Sequence, residues 1–164
     1  MEVITFQKLR AGDFEHFRLI AVWYLAEWGI PIAITMDRLA VIVGDSQQLQ
    51  LILICDGVPV ATAGIYHHVG LIDKAPRFSN YKNWLALVYT RPDRRGKGYG
   101  SALCNYVVSC SQEMHIDALY LFTDTASDFY RKLGWQDTEH LLLDQRDIIV
   151  MRKTCAVGLP KLFL

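Results

Sequence analysis

The chain has 164 residues, of which 52% are hydrophobic and 21% are charged, a composition typical of one globular domain. Its 17 basic and 17 acidic residues cancel, which argues against nucleic acid as a partner. No apolar run approaches the roughly 20 residues of a membrane helix, and no signal-peptide pattern opens the sequence. These features predict a cytoplasmic protein without a membrane partner.

The N-terminal third predicts strands and helices in mixed order. Residues 3–9 alternate as a strand does, and Asp13 can cap a helix that Gly29 ends. A second helix is predicted over residues 35–43. The strand-like runs 48–55 and 58–67 are joined by Asp56 and Gly57, which is a strong hairpin signal.

The rest of the chain begins with a long loop, residues 68–83, followed by an apolar strand at 84–89 and an amphipathic helix at 98–114. A buried strand is predicted at 118–123, and Thr125-x-x-Asp128 resembles a capping box for a short helix. Strands at 136–143 and 147–153 complete the pattern, and residues 155–164 fit no element. This order predicts an α+β fold with a mixed, mostly antiparallel central sheet flanked by helices.

The four cysteines show no Cys-x-x-Cys spacing, and the five histidines form no metal motif. Because the cysteines Cys55, Cys104, Cys110 and Cys155 lie in apolar segments, we expect reduced core thiols. No metal site is predicted.

The turn after the 84–89 strand combines positive charge with glycine. Arg94, Arg95 and Lys97 supply the charge, and glycines at 96, 98 and 100 let the backbone approach a ligand. The first N–H groups of the following helix would point at the same place, where the helix dipole also favours an anion. A phosphate or pyrophosphate is the expected ligand.

Two other phosphate loops fit less well. No segment matches the Walker A pattern. The Rossmann fingerprint is half present, but Ser101 stands where its third glycine or alanine belongs, and Asp117 has the wrong spacing for its ribose-binding acid. The element order also lacks strict βαβ alternation.

Two motifs together resemble the GNAT N-acetyltransferase superfamily. The first is Arg95-x-x-Gly98-x-Gly100 between a strand and a helix, and the second is the segment Phe-Tyr-Arg-Lys-Leu-Gly-Trp at 129–135. The opening of the fourth strand, 84–86, and the Leu-Phe-Thr segment of the fifth strand, 121–123, are also similar to members of that superfamily. The resemblance covers about residues 58–153, and it implies the GNAT acyl-CoA N-acyltransferase fold.

The resemblance also implies an organisation and a function. The chain would be a single N-acetyltransferase domain, 1–164, with an acceptor-side part at about 1–57, an acetyl-CoA-binding part at about 58–153 and a tail at 154–164. It would move an acetyl group from acetyl-CoA to a primary amine in a ternary complex, as a monomer or homodimer.

The implied cofactor contacts cluster after the fourth strand. The backbone of Val88 and Thr90 would hold the pantetheine arm as an added strand would, and the loop N–H groups would hold the pyrophosphate. The full predicted set is Val88, Tyr89, Thr90, Arg95, Gly96, Lys97, Gly98, Tyr99, Gly100, Ser101, Asp124 and Phe129. Thr90 and Arg94 depart from the usual apolar and aromatic residues, without affecting the backbone contacts.

Acetyl transfer requires a neutral amine, a polarised carbonyl and a proton for the leaving thiolate. Tyr130 is the candidate general acid, because a phenol is protonated at neutral pH, although it could be only a packed aromatic. A backbone N–H of Val88 or Tyr89 would polarise the carbonyl. His68 and Glu27 are tentative bases, and His67 and Asp124 are further candidates.

The acceptor is left open between classes. A small-molecule amine is favoured over a protein or peptide amine, because no extended acidic or aromatic groove is evident. A non-catalytic acyl-CoA-binding module of the same fold is a further alternative, which the presence of Tyr130 disfavours. Aromatic residues that could line the acceptor site, or belong to the core, are Phe14, Phe17, Trp23, Trp28, Phe78 and Tyr81.

Overall fold

The computed structural model describes residues 1–155, which form a seven-stranded sheet flanked by helices. The strands are β1 (Ile4–Lys8), β2 (Leu49–Cys55), β3 (Val58–Tyr66), β4 (Trp84–Thr90), β5 (Ala118–Thr123), β6 (Gln136–Leu143) and β7 (Arg146–Thr154). The helices are α1 (Phe14–Trp28), α2 (Ile32–Val43), α3 (Gly70–Lys74), α4 (Tyr99–Glu113) and α5 (Ser127–Lys132). Of the predicted tail, 154–164, Thr154 is the last residue of β7, and residues 156–164 lie outside the described residues.

The sheet has the order β1-β2-β3-β4-β5-β7-β6 and divides at its centre. All neighbouring strands are antiparallel except β4 and β5, which are parallel and paired only at Trp84 and Tyr120. Within the described residues, β4 therefore has no strand partner on the β5 side beyond its first residue. The mixed, mostly antiparallel α+β sheet predicted from the sequence is confirmed.

The two faces of the sheet carry different helices, and alternation along β2 shows how. Leu51 and Leu53 pack with Leu103 and Val107 of α4 on one face. Ile52, between them, packs with α1 and α2 on the other face. Successive strand residues point to opposite faces, so this apolar run is buried on both sides. Each such side chain contributes roughly 1.5–3 kcal/mol through burial.

The hairpin between β2 and β3 has the geometry that its sequence predicts. Asp56 and Gly57 both have positive φ, 50° and 81°. That pair of dihedrals suits a two-residue turn whose twist matches the flanking strands. The Asp56 carboxylate also accepts a hydrogen bond from the Val3 N–H at 2.8 Å, which ties the N-terminus to the turn.

Two predicted helix starts differ from the structure. The α2 helix begins at Ile32, not at residue 35, because Pro31 takes the capping position and its carbonyl accepts the N–H groups of Ile34 and Thr35. The predicted capping box before α5 is wrong, because Ala126 takes the capping position and no side chain caps the first turn. The N–H of Ala126 donates to the hydroxyl of Thr123, at the end of β5, at 3.0 Å.

The loop predicted at 68–83 contains a short helix, α3, and a 3-10 turn at Pro76–Asn80. Leu71 and Phe78 from these turns are buried against Trp84. The loop is therefore a structured cover over one end of the sheet. Among residues 1–155, no helix is both long and apolar enough to cross a lipid bilayer.

The cysteine thiols are all free, and their burial predicts their reactivity. Burial raises the pKa of Cys104 to about 12, and burial together with Glu113 raises the pKa of the partly exposed Cys110. We expect a thiol reagent at pH ~8 to modify only Cys110 in the native protein, and slowly, since the thiolate is the reactive form. Spectrophotometric thiol counting checks this, with Cys110→Ser as control. Rapid native-state labelling of Cys104 would contradict the prediction.

Candidate active site

The turn from β4 into α4 is built on two glycines. A 3-10 turn at Pro92–Arg94 is followed by Gly96 and Gly98, whose φ angles are 77° and 88°. Residues with a Cβ rarely adopt such positive φ angles, which explains why glycine occupies both positions. The first helical hydrogen bond runs from the Ala102 N–H to the Gly98 carbonyl at 3.0 Å. The N–H groups of residues 99–101 therefore precede the bonded ladder and are available to a ligand.

A cleft of about 520 Å³ lies in front of this turn, a volume typical of cofactor sites. It is bounded by the glycine turn, by the end of β4 and by α5, so the separation of β4 from β5 opens into it. The lining residues are Glu27, Val88, Tyr89, Thr90, Arg94, Arg95, Gly96, Gly98, Tyr99, Gly100, Ser101, Ala126, Phe129 and Tyr130.

Most of the residues predicted as cofactor contacts line the cleft, and two do not. Lys97 is exposed between the two positive-φ glycines and is not part of the lining. Asp124 lies 3.7 Å from the Arg146 guanidinium, because β7 pairs with β5 and brings that cation to it. Two lining residues, Arg94 and Ala126, belong to neither the predicted cofactor contacts nor the predicted catalytic residues. The positive charge of Arg94 in the glycine turn could have indicated it, whereas Ala126 carries no sequence signal.

Arg95 is held at the mouth of the cleft by three contacts. Its Nε donates to the Thr90 carbonyl at 2.8 Å, and its Nη2 lies 3.2 Å from a Glu27 carboxylate oxygen. The guanidinium carbon lies 5.6 Å from the centre of the Tyr89 ring. These contacts preorganise the cation beside the helix N-terminus, and they make Glu27 its counter-ion.

Tyr130 lies on α5 and lines the same cleft as the glycine turn. Its ring packs edge-on against Phe129 and Trp135, and only 9% of the residue is exposed. Burial raises the pKa of Tyr130 above its usual value near 10, with a smaller contribution from Cys104. The phenol is therefore protonated throughout the neutral range and can donate that proton.

The candidate bases fall at opposite ends of the sheet. Glu27 lines the cleft, whereas His68 lies 2.9 Å from Asp73 beside a second cavity of about 400 Å³. The reason is strand direction. β3 is antiparallel to β4 and its last residue, Tyr66, pairs with the first residue of β4, so His68 follows the end far from the cleft. Seven strand residues separate the two ends by roughly 20 Å. The structure does not bring His68 to Tyr130, and His67 lines the same second cavity.

The chain has sequence and structural similarity to known acetyltransferases. The profile of the "Acetyltransferase (GNAT) domain" family matches residues 48–137. A comparison with curated protein sequences gave no significant match. The described residues contain no group of three or more His, Cys, Asp or Glu side chains that could hold a metal ion.

Solved structures share the fold over nearly the whole chain. An aminoglycoside 6'-N-acetyltransferase complexed with coenzyme A has a TM-score of 0.74 at 14% identity, with 96% of this chain and 99% of that chain covered. The aminoglycoside 6'-N-acetyltransferase from Enterococcus faecium gives 0.73 at 14% identity, covering 96% and 99%. The ribosomal-protein-S18-alanine N-acetyltransferase from Escherichia coli gives 0.66 at 18% identity, covering 99% and 100%.

The profile match spans more than half of the chain, and the matched residues include β4, the glycine turn and α5, which border the cleft. The protein therefore belongs to the GNAT family of acetyltransferases, enzymes that take their acetyl group from acetyl-CoA.

Proposed function

We propose that this protein transfers an acetyl group directly from acetyl-CoA to a primary amine within a ternary complex. The amine nitrogen attacks the thioester carbonyl, the carbon–sulfur bond breaks, and the nitrogen gives up one proton. Tyr130 donates its phenolic proton to the departing thiolate. A backbone N–H of Val88 or Tyr89 stabilises the oxyanion that forms on the carbonyl.

One observation carries the proposal. Tyr130, the glycine turn and the unpaired end of β4 all border the same cleft. The turn offers N–H groups and Arg95 to a pyrophosphate, and the open edge of β4 can accept the pantetheine arm as an added strand. A chain that only bound acyl-CoA would not need a buried, protonated phenol at this place.

Glu27 is the base that the geometry favours, acting directly or through a water. Presenting a neutral α-amine of pKa ~8 at pH 7 costs about 1.4 kcal/mol, and a lysine amine of pKa ~10.4 costs about 4.6 kcal/mol. A partly engaged carboxylate can meet the first cost more readily than the second. Proximity of amine and thioester supplies most of the remaining acceleration.

We propose a small-molecule amine with an apolar body as acceptor. The cleft holds one carboxylate, Glu27, which already pairs with Arg95, and this is poor provision for a polycation such as an aminoglycoside. Trp28 is 44% exposed, and its ring centre is 6.3 Å from that of Tyr89, a lining residue. By contrast, Phe17, Trp23 and Phe78 of the aromatic candidates are buried in the core.

Calorimetric titration tests the donor first. We expect saturable one-site binding of acetyl-CoA and no binding of NAD, and an absence of acetyl-CoA binding would refute the proposal.

A panel of amines with a thiol-release readout then tests the acceptor. Aromatic and alkyl monoamines should be acetylated faster than an aminoglycoside, an alanine-initiated peptide or a lysine peptide. Preference for a peptide would replace the small-molecule assignment by the peptide alternative.

Replacing Glu27 with Gln should change affinity and rate in opposite directions. Losing the carboxylate frees Arg95 for the cofactor phosphates, so the Kd for acetyl-CoA falls about two- to fivefold, as expected for an exposed ion pair. Losing the base lowers kcat by about tenfold, a modest effect because proximity still operates. Calorimetry and steady-state kinetics at low salt measure the two.

Glu139→Gln is the matched control, because Glu139 also pairs with an arginine, Arg77, at 2.6 Å but lies outside the cleft. It makes the same change in net charge and should alter neither quantity. An E27Q enzyme with unchanged kcat at saturating substrates would remove Glu27 from the catalytic role.

A further inference from the structure

A chain of buried polar groups leads from β2 and β3 to α1. Gln50 is fully buried, and its Nε2 donates to the Thr62 hydroxyl at 2.7 Å and to the Tyr24 hydroxyl at 3.2 Å. Its Oε1 accepts a hydrogen bond from the Tyr66 hydroxyl at 2.6 Å. All four residues are at most 2% exposed, so the network is shielded from water.

The direction of this network is fixed by chemistry. An amide nitrogen can only donate, so the Tyr24 oxygen accepts a hydrogen bond from Gln50, and the Tyr24 O–H is left to donate to another group. It donates to the backbone carbonyl of Leu87 at 2.8 Å. The Thr62 hydroxyl likewise donates to the Leu51 carbonyl at 2.7 Å. No buried polar side-chain atom in the described part of the chain lacks a partner.

Gly64 makes the space in which these groups meet. A Cβ at this position would lie 2.2 Å from Cε1 of Tyr66 and 2.8 Å from Oε1 of Gln50. Any side chain at residue 64 would therefore displace the network. Residues of three strands and one helix take part in this network, and buried polar networks of this kind specify one arrangement of the backbone.

Leu87, whose carbonyl accepts the hydrogen bond from Tyr24, lies in a bulge of β4. The ladder pairs Thr62 with Tyr89 and Gly64 with Ala86, so Leu87 and Val88 together face one residue of β3. Leu87 has a φ of 50°, a conformation that non-glycine residues adopt only where surrounding contacts hold it. Bulges beside functional sites re-aim the strand, and the next residue, Val88, lines the cleft.

We propose that Tyr24 is a positioning residue for acetyl transfer. By binding the carbonyl of Leu87 it fixes the bulge, and the bulge sets the direction of the Val88 and Tyr89 backbone, whose N–H groups are the candidates to hold the thioester oxygen. This inference rests on the proposed function for its catalytic half. Burial raises the pKa of Tyr24 well above its usual value, so the hydroxyl remains a donor at every pH where the enzyme would work.

Tyr24→Phe tests the inference, with Tyr66→Phe as the matched control. Each removes one buried hydroxyl from the same network, but only Tyr24→Phe frees the Leu87 carbonyl. We expect Tyr24→Phe to lower kcat about tenfold, the effect of an unsatisfied buried carbonyl, with the KM for acetyl-CoA changed less than about threefold. Tyr66→Phe should leave kcat within about twofold of the wild-type value, even if it lowers the melting temperature as much as Tyr24→Phe does.

Amide hydrogen exchange followed by NMR gives a readout that does not depend on activity. Exchange at residues 87–89 should accelerate in Tyr24→Phe and not in Tyr66→Phe. If the wild type acetylates no amine, the proposed function fails, while the exchange data still decide whether Tyr24 holds the bulge. Unchanged exchange in Tyr24→Phe, or equal losses of kcat in the two variants, would overturn the inference.

Discussion

Replacing Tyr130 with Phe is expected to lower kcat about a hundredfold while the Kd for acetyl-CoA stays within about twofold. The phenolic proton is needed only when the carbon–sulfur bond breaks, so its loss affects the transition state and not the bound cofactor. The phenyl ring still packs against Phe129 and Trp135, which keeps α5 in place. Steady-state kinetics and calorimetry on the same preparations measure the two quantities.

The control for this change is Tyr106→Phe. Tyr106 lies on α4 but does not line the cleft; it is 38% exposed, and its ring centre is 4.1 Å from that of Phe6, so losing its hydroxyl should alter neither quantity. The pH profile is a second check. Because burial raises the pKa of Tyr130 above 10, its proton donation should not be lost on the alkaline side below about pH 10. A fully active Tyr130→Phe enzyme would show that Tyr130 only packs.

The double variant Arg95→Ala, Gly98→Val is expected to weaken acetyl-CoA binding about a hundredfold. The first change removes the cation at the mouth of the cleft, and charged hydrogen bonds to phosphate are among the strong ones. The second forces a β-branched residue into a φ of 88°. Since nothing lies within 4 Å of a Cβ there, the cost is conformational, and it displaces the N–H groups that begin α4. Calorimetric titration measures the loss.

A matched double variant, Arg77→Ala with Gly12→Val, separates local from general effects. Arg77 pairs with Glu139 much as Arg95 pairs with Glu27, and Gly12 has a φ of 94° with no atom within 4 Å of a Cβ. Both positions lie outside the cleft. This protein should lose some stability and keep its affinity for acetyl-CoA. Equal weakening in the two double variants would mean that the turn does not bind the cofactor.

Features that depend on a few neighbouring residues could be predicted from the sequence. The hairpin at Asp56 and Gly57 follows from their tolerance of positive φ, and the glycine turn before α4 follows from the same property at Gly98. The α4 helix and the β5 strand were predicted within one residue of their observed bounds, because apolar periodicity reports local structure. The short motif around Tyr130 also lies within one helix and its C-terminal end.

Features that depend on pairing between distant segments were decided by the tertiary structure. His68 follows β3, which pairs with the site strand β4, but the antiparallel pairing places His68 at the end of β4 far from the cleft. Glu27 meets Arg95, and Tyr24 meets Leu87, across more than sixty intervening residues. Three further features have no local signature in the sequence: the bulge, the separation of β4 from β5, and the buried network. Each depends on how side chains from several strands pack together in one interior.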